Sequence, residues 1–277
     1  MSWQPAGIDP KALWDTRLQL HWAAQATAGV GRLLLPKQDD FRHESFSWSA
    51  AHGALLQGVV EAPRPFQAGI RLRDMALLLL DGNSAVIDQL PMNGHTLDEG
   101  FAFFAVRAGS LLSRQVMLAA PPEGMPHHPV ADGARFDADP EHLAELERCF
   151  RNAMHVLVAA RTREEGAGAV RCWPHHFDVA FLIMLGGRGE DARTVGIGMS
   201  PGDEGIREPY YYVTPWPRPD AARPLPPLPL GGWHAEGWLG AVLTATEIAA
   251  LAGARQEGEV SRFLQEAARH CRALAAP

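Results

Sequence analysis

The sequence has few cysteines, no long apolar run and no cluster of basic residues, and each absence excludes a class of protein. Its three cysteines, Cys149, Cys172 and Cys271, are odd in number and far apart, which is typical of reduced thiols rather than of a disulfide framework or a zinc knuckle. The densest apolar run, MALLLL at 75–80, is too short to cross a bilayer as a helix. We therefore expect no membrane partner.

The charge balance argues against nucleic acid as a partner. The net charge is -7, the isoelectric point is near 5.9 and no run of Lys and Arg provides a local basic surface, whereas proteins that bind nucleic acid carry a basic footprint. The amino terminus also lacks the charged start and apolar middle of a signal peptide. We expect a cytoplasmic protein from a bacterium-like host.

What the sequence does contain is typical of a globular protein. It has 277 residues, 47% of them hydrophobic and 21% charged, which is enough for one large domain or two moderate ones with a substantial core. Twelve histidines are a high number for this length. Most are scattered singly, and a single histidine is more often a hydrogen-bonded structural residue than a ligand.

The first half is predicted to contain a helix, several short strands, a second helix and one further strand. The predicted ranges are 10–30 for the first helix, 45–90 for the strands, 96–113 for the second helix and 114–119 for the last strand. Asp9 should cap the first helix, and Gly29 and Gly31 should end it. Thr96 and Glu99 have the spacing of a capping box.

The second half is predicted to repeat the order of helix, strands and helix. A helix is expected at 140–163, extended segments within 172–217, and a last helical region capped by Thr244 or Thr246. The fold class is therefore α+β, with antiparallel β-sheet flanked by helices. We expect a single compact unit, with two similar halves, 1–122 and 135–277, joined by a Pro/Gly-rich loop, as the open alternative.

The segment 172–217 has the alternating pattern of strands. Alternation places His175 and His176 on opposite faces, so they should not act together. Pairing Leu185 with Val195 would keep the large apolar side chains on one face of the sheet.

The same register predicts how the three consecutive tyrosines pack. It sets Tyr210 near Gly198 and Tyr212 near Gly196, so that each ring would cover a strand glycine. Cross-strand packing is the simpler interpretation of this run, and a wall or hydrogen-bond donor for a ligand is the functional one.

This register also gathers polar side chains at one end of the sheet. The set is His176, Asp178, Ser200, Asp203, Glu204 and Glu208. Asp178 and Glu208 would be the catalytic acidic groups and His176 an auxiliary base, since a carboxylate can hold an imidazole in one tautomer. Ser200 and Tyr210 would contact the ligand. Ordinary turn chemistry at Asp203 is the structural alternative.

The first helix offers a second group of candidate ligand-binding residues. His21 and Gln25 are four residues apart and share a helix face, close to Arg32. They could orient a ligand, with Arg32 holding an anionic group, or they could form a polar helix edge.

Three stretches resemble an uncharacterised bacterial family, a domain of unknown function of about this length. They are LHWAAQ with GVGRLLL, HHFDVAFLIMLGGR, and EPYYYVTPWP. The matching positions are His21, Gln25, Gly31, Arg32, Phe177, Asp178, Ala180, Gly187, Arg188, Pro209, Tyr211 and Pro217. Two features depart from the family: it usually has Lys where Arg32 stands, and the His175–His176 pair is not part of its pattern. The resemblance implies one architecture for most of the chain, and it implies no activity.

The leading functional hypothesis is a small-molecule-binding protein, with enzymatic activity at the polar sheet end left open. One alternative is a metal-dependent hydrolase that uses His176, Asp178, Asp203 and Glu204. A third is an interaction protein that uses the Tyr-, Trp- and Pro-rich surface of 209–233. No cofactor is identified, and the sequence leaves a homo-oligomer open.

Overall fold

The computed structural model describes residues 2–220 and 224–276, without the side chain of Glu190. The chain divides into two compact units. The N-terminal unit comprises Leu13–Glu147 and Arg171–Phe177, and the C-terminal unit comprises Met1–Ala12, Arg148–Val170 and Asp178–Pro277. The predicted domain organisation, a single compact unit or two similar halves, 1–122 and 135–277, stays a prediction.

The N-terminal unit contains an antiparallel sheet and helices. After a short 3-10 turn (Pro10–Leu13), its elements are α1 (Trp14–Leu34), β1 (Ser47–Ser49), β2 (Ala54–Leu56), β3 (Phe66–Arg71), β4 (Ala76–Asp81), β5 (Val86–Pro91), α2 (Leu97–Leu112), the start of α3 (Pro140–Arg161), and β6 (Arg171–Trp173). Five strands lie in the order β1-β2-β3-β4-β5. Helix α1 packs on α2 and on β3.

Local sequence signals placed several of these elements correctly. Asp81 ends β4 and its carboxylate accepts hydrogen bonds from the amides of Asn83 and Ala85, both at 2.9 Å, which closes the turn between β4 and β5. Thr96 and Glu99 form the predicted capping box at the start of α2. Asp9 accepts from the amide of Lys11 at 3.0 Å in the 3-10 turn, but it does not cap the first helix as predicted, because α1 begins at Trp14 with Leu13 as its N-cap and without a side-chain cap hydrogen bond.

The predicted end of the first helix was wrong. Helix α1 continues through Gly29 and Gly31 to Leu34. A Cβ atom on Gly31 would lie 2.6 Å from the backbone oxygen of His43 and would also meet the side chain of Gln57. Gly31 therefore allows another segment to approach the helix closely and does not end it.

The strand predicted at 114–119 was also wrong. Ser113 leaves α2 in the left-handed conformation, with φ of 51°, and the amide of Arg114 bonds back to the carbonyl of Gly109 at 3.1 Å. None of the residues 114–119 belongs to a strand.

The C-terminal unit is an antiparallel sheet covered on one face by a helix. After the last part of α3 it comprises β7 (Asp178–Gly186), β8 (Arg193–Ser200), β9 (Tyr210–Trp216), β10 (Gly232–His234), β11 (Gly240–Thr244), α4 (Ala245–Ala249) and α5 (Gly253–Leu274). These strands lie in the order β10-β11-β9-β8-β7. Helix α5 packs on β9, β8 and β11. Thr244 forms a capping box at α4, so the first of its two predicted caps is confirmed.

The predicted strand register was displaced by two residues at both turns. Val195 lies opposite Ile183 instead of Leu185, and Gly198 lies opposite Tyr212 instead of Tyr210. A bulge near Met184 and a 3-10 turn over Gly189–Asp191 lengthen the first connection. A displacement of two keeps every side chain on its predicted face, so the apolar face is the expected one.

Together the two units confirm the predicted class. The protein is α+β, with antiparallel sheet and flanking helices.

Candidate functional site

The predicted site residues fall into two groups, one in each unit. His21, Gln25, Arg32 and His176 belong to the N-terminal unit, whereas Asp178, Ser200, Asp203, Glu204, Glu208 and Tyr210 belong to the C-terminal unit. Each group has its own geometry.

In the N-terminal unit, α1 holds the turn 174–177 through buried polar side chains. His21 Nε2 and Gln25 Nε2 both contact the carbonyl oxygen of Pro174, at 2.8 Å and 2.7 Å. Arg17, also buried, donates to the carbonyl oxygen of His176 at 3.3 Å. The turn is therefore fixed by side chains from a helix distant in sequence.

The partners of His21 define its protonation state. The Pro174 carbonyl can only accept and Arg17 can only donate, and Arg17 lies 3.2 Å from Nδ1, so Nε2 carries the hydrogen and Nδ1 accepts. Burial, and then the nearby Arg17 charge, lower the pKa of His21 to about 3. His21 is thus a neutral structural histidine at pH 7.

Arg32 is also held by protein groups. Its guanidinium donates to the side-chain oxygen of Gln25 at 3.4 Å and to the Gln25 carbonyl at 3.3 Å, and it lies 3.7 Å from Glu44. These contacts give His21, Gln25 and Arg32 a role in holding local structure. Their predicted role in ligand binding stays a prediction.

The prediction that His175 and His176 lie on opposite faces of a strand was wrong. Strand β7 begins only at Asp178, and the two histidines lie in the preceding turn. Their ring centroids are 4.2 Å apart. Phe177 makes this possible because it adopts φ of 61° and buries its ring against His21, which lets the chain reverse before the strand starts.

In the C-terminal unit, the face of the sheet opposite α5 carries a phenol–carboxylate pair. The Tyr212 hydroxyl donates to Asp178 Oδ2. The Tyr212 ring lies over Gly198, where a Cβ atom would be 2.6 Å from its Cζ and Oη. A ring therefore covers Gly198, but it is that of Tyr212 and not that of Tyr210 as predicted. The predicted ring coverage of Gly196 was wrong, because Gly196 lies opposite Thr214.

Asp203 forms a second pair, with Tyr210. Its Oδ1 accepts from the amides of Gly205 and Ile206 at 2.8 Å and 2.9 Å, and its Oδ2 accepts from the Tyr210 hydroxyl. Burial and the Asp203 carboxylate raise the pKa of Tyr210 far above its ordinary value, so the phenol stays protonated. Asp203 thereby orders the turn, as its structural interpretation predicted.

Glu208 and Ser200 also have structural partners. Buried Glu208 accepts from the amide of Thr246 at 2.7 Å, near the start of α4, where a negative charge is favourable. Ser200 Oγ accepts from the amide of Gly202 at 3.2 Å. Glu204 is exposed. Among the predicted acidic groups, Asp178 is therefore the best candidate for contact with a ligand.

No metal-binding group supports the hydrolase alternative. Within residues 2–220 and 224–276, no three His, Cys, Asp or Glu side chains are grouped so as to hold a metal ion. These ranges include His176, Asp178, Asp203 and Glu204.

Sequence reasoning missed the apolar part of the Asp178 face. Leu182 and Met184 follow Asp178 at even spacing along β7 and are 51% and 49% exposed. Met184 pairs with Thr194, which pairs with Trp216, and Trp216 is 57% exposed. Strand parity indicates that Leu182 and Met184 share the face of Asp178, but only the structure shows that this face is left uncovered there.

The aromatic residues near Asp178 form a cluster that was also missed. Trp238 stacks on Tyr210 with centroids 6.5 Å apart and meets Tyr212 edge-on at 6.2 Å. His234 lies 4.7 Å from Trp238. The sequence offered no signal for this, because the connector places Trp238 by tertiary contacts.

The Tyr-, Trp- and Pro-rich stretch 209–233 is only partly exposed to solvent. Tyr210 and Tyr211 are buried, and Trp233 donates to the carbonyl of Pro226 at 2.7 Å. Residues 221–223 of this stretch lie outside the described residues. Trp216 is its exposed large aromatic residue, and it belongs to the sheet face with Leu182.

Comparisons with known proteins gave no match. A scan against protein-family models, a search of curated proteins and a search of solved structures each found nothing similar. The family resemblance therefore stays a prediction. Across residues 2–220 and 224–276, none of the helices is both long and apolar enough to span a bilayer.

Proposed function

We propose that this protein binds a small amphipathic organic cation on the uncovered face of its C-terminal sheet. The observation that carries the proposal is the alignment, along one face of β7, of the Asp178 carboxylate with the half-exposed side chains of Leu182 and Met184. An exposed apolar patch of this kind is typical of a binding surface.

Asp178 and Tyr212 supply the recognition of positive charge. The hydrogen bond from the Tyr212 hydroxyl fixes the orientation of the carboxylate. Aromatic rings beside a carboxylate favour an ammonium group through both charge and ring electrostatics. The net charge of -7 also favours cations over anions near the protein.

Leu182, Met184 and Trp216 supply the apolar contact. Strand spacing places Leu182 about 13 Å and Met184 about 20 Å from Asp178 along the strand, and Trp216 about 10 Å to the side of Met184. A ligand with a cationic end and an apolar body about 13 Å long would cover both parts. Enzymatic activity at this face stays a prediction.

Calorimetric titration with three probes tests the proposal. Decyltrimethylammonium, kept below its micelle concentration, should bind at least tenfold more tightly than decyl sulfate and than tetramethylammonium, because only the first carries both features. Asp178→Asn should remove the preference for the cation, since Asn can still accept from Tyr212 but has no charge. Leu182→Ser should weaken binding about tenfold, or ~1.4 kcal/mol.

Val158→Ser is the matched control, because Val158 is a 43% exposed apolar residue on α3 of the same unit. It should leave binding unchanged. Equal affinity for decyl sulfate and decyltrimethylammonium, or an unchanged affinity in Leu182→Ser, would contradict the proposal.

A further inference from the structure

The turn 174–177 of the N-terminal unit is held by polar side chains of α1. Arg17, His21 and Gln25, all buried, contact its carbonyl oxygens. Phe177 keeps a left-handed backbone conformation that is unfavourable for a non-glycine residue. Strained backbone fixed by buried polar groups is common at functional sites.

The exposed side chains of this turn are two neighbouring imidazoles. His175 and His176 are both exposed, and their rings are 4.2 Å apart and inclined at 50°. Among the described residues, no protein group hydrogen-bonds the ring nitrogens of either histidine. Both rings can therefore offer a nitrogen to a ligand from solvent.

The separation of the rings suits two cis ligands of one metal ion. With metal–nitrogen bonds of ~2.0–2.1 Å, each ring centroid lies ~3.2 Å from the metal, and two cis rings at ~90° have centroids ~4.5 Å apart. The observed separation of the two ring centroids is 4.2 Å, so metal binding would require them to move apart only slightly.

We propose that His175 and His176 together bind one Cu(II) ion through their imidazole nitrogens, with water or a small ligand in the remaining positions. Divalent copper binds nitrogen ligands more tightly than the other first-row ions and accepts a tetragonal arrangement of N and O ligands. Structural zinc almost always takes four ligands, which this turn does not supply.

A second adjacent pair, His127 and His128, provides a matched control. His128 Nδ1 accepts from the amide of Val130 at 3.3 Å, and its Nε2 lies 3.2 Å from Asp15. Both nitrogens of that ring are engaged, so this pair should not chelate a metal although its sequence is the same.

Titration of the untagged protein with Cu(II), followed by electron paramagnetic resonance and calorimetry, tests the site. The wild type should bind one more equivalent of copper than the double variant His175→Asn, His176→Asn. Each single variant should lose at least tenfold in affinity. The double variant His127→Asn, His128→Asn should bind as the wild type does.

The spectrum of the wild-type complex gives a test that needs no variant. Nitrogen superhyperfine structure should show two imidazole nitrogens on the tightest copper. Coupling to a single nitrogen, or unchanged stoichiometry and affinity in the His175→Asn, His176→Asn protein, would overturn the proposal.

Discussion

Replacing Gly198 by Ala should separate Tyr212 from Asp178. The new Cβ would lie 2.6 Å from Cζ and Oη of Tyr212 and 2.7 Å from the backbone oxygen of Val179. The backbone oxygen cannot move away without breaking the pairing of β7 with β8, so the tyrosine ring must shift. Its hydroxyl then loses Asp178.

Three contributions determine how much Gly198→Ala changes the free energy of unfolding. Overpacking costs ~1–3 kcal/mol, and loss of a hydrogen bond to a charged group costs ~1.5–3 kcal/mol. Replacing glycine within a strand returns ~0.5–1 kcal/mol. The free energy of unfolding should fall by about 2–5 kcal/mol in total.

Urea unfolding followed by fluorescence measures this change, with Gly196→Ala as the control. A Cβ on Gly196 would meet the methyl group of Thr214 at 3.0 Å, so that variant should change stability by less than ~1 kcal/mol. A double-mutant cycle adds a sharper test. Tyr212→Phe should destabilise the wild type but have little effect on Gly198→Ala, because the bond it removes is already lost. An equal effect in both backgrounds would refute the reasoning.

Two further predictions concern helix α1, and the second has its control in α5. Since the folded-state pKa of His21 is lowered from 6.5 to about 3, the unfolded chain takes up a proton there as the pH falls from 7 to 5, and stability should fall by about 2 kcal/mol over that range. The loss should disappear in His21→Gln, measured as urea midpoints at both pH values; an identical pH dependence would exclude the explanation. Gly31→Ala should destabilise the protein by ~1–3 kcal/mol despite the better helix propensity of Ala. In contrast, a Cβ on Gly258 of α5 would meet no atom within 4 Å apart from its chain neighbours and the nearby backbone of its own helix, so Gly258→Ala should stabilise the protein by ~0.5–1 kcal/mol. Thermal unfolding distinguishes the two signs, and a stabilising Gly31→Ala would contradict the packing argument.

Elements whose ends depend on local chemistry could be predicted from the sequence. The capping residues Thr96 and Thr244 and the hairpin turn after Asp81 use hydrogen bonds within a few residues, so their signals are short and specific. Gly31 was misread because its local signal is the same for a helix end and for a close approach. Only the position of His43 distinguishes the two.

The candidate sites also combine features that follow from the sequence with features that depend on the tertiary structure. The sequence fixes which side chains share a strand face, because alternation is a property of the backbone, and Asp178, Leu182 and Met184 followed that rule. Tertiary structure decided that α5 covers one face of the sheet and leaves half-exposed apolar side chains on the other. It also decided that the histidine pair lies in a turn, because the buried groups of α1 that hold the Pro174 carbonyl come from 153 and 149 residues away. Contacts over such distances leave no periodic trace in the sequence, and so the faces were predictable while their coverage and the turn were not.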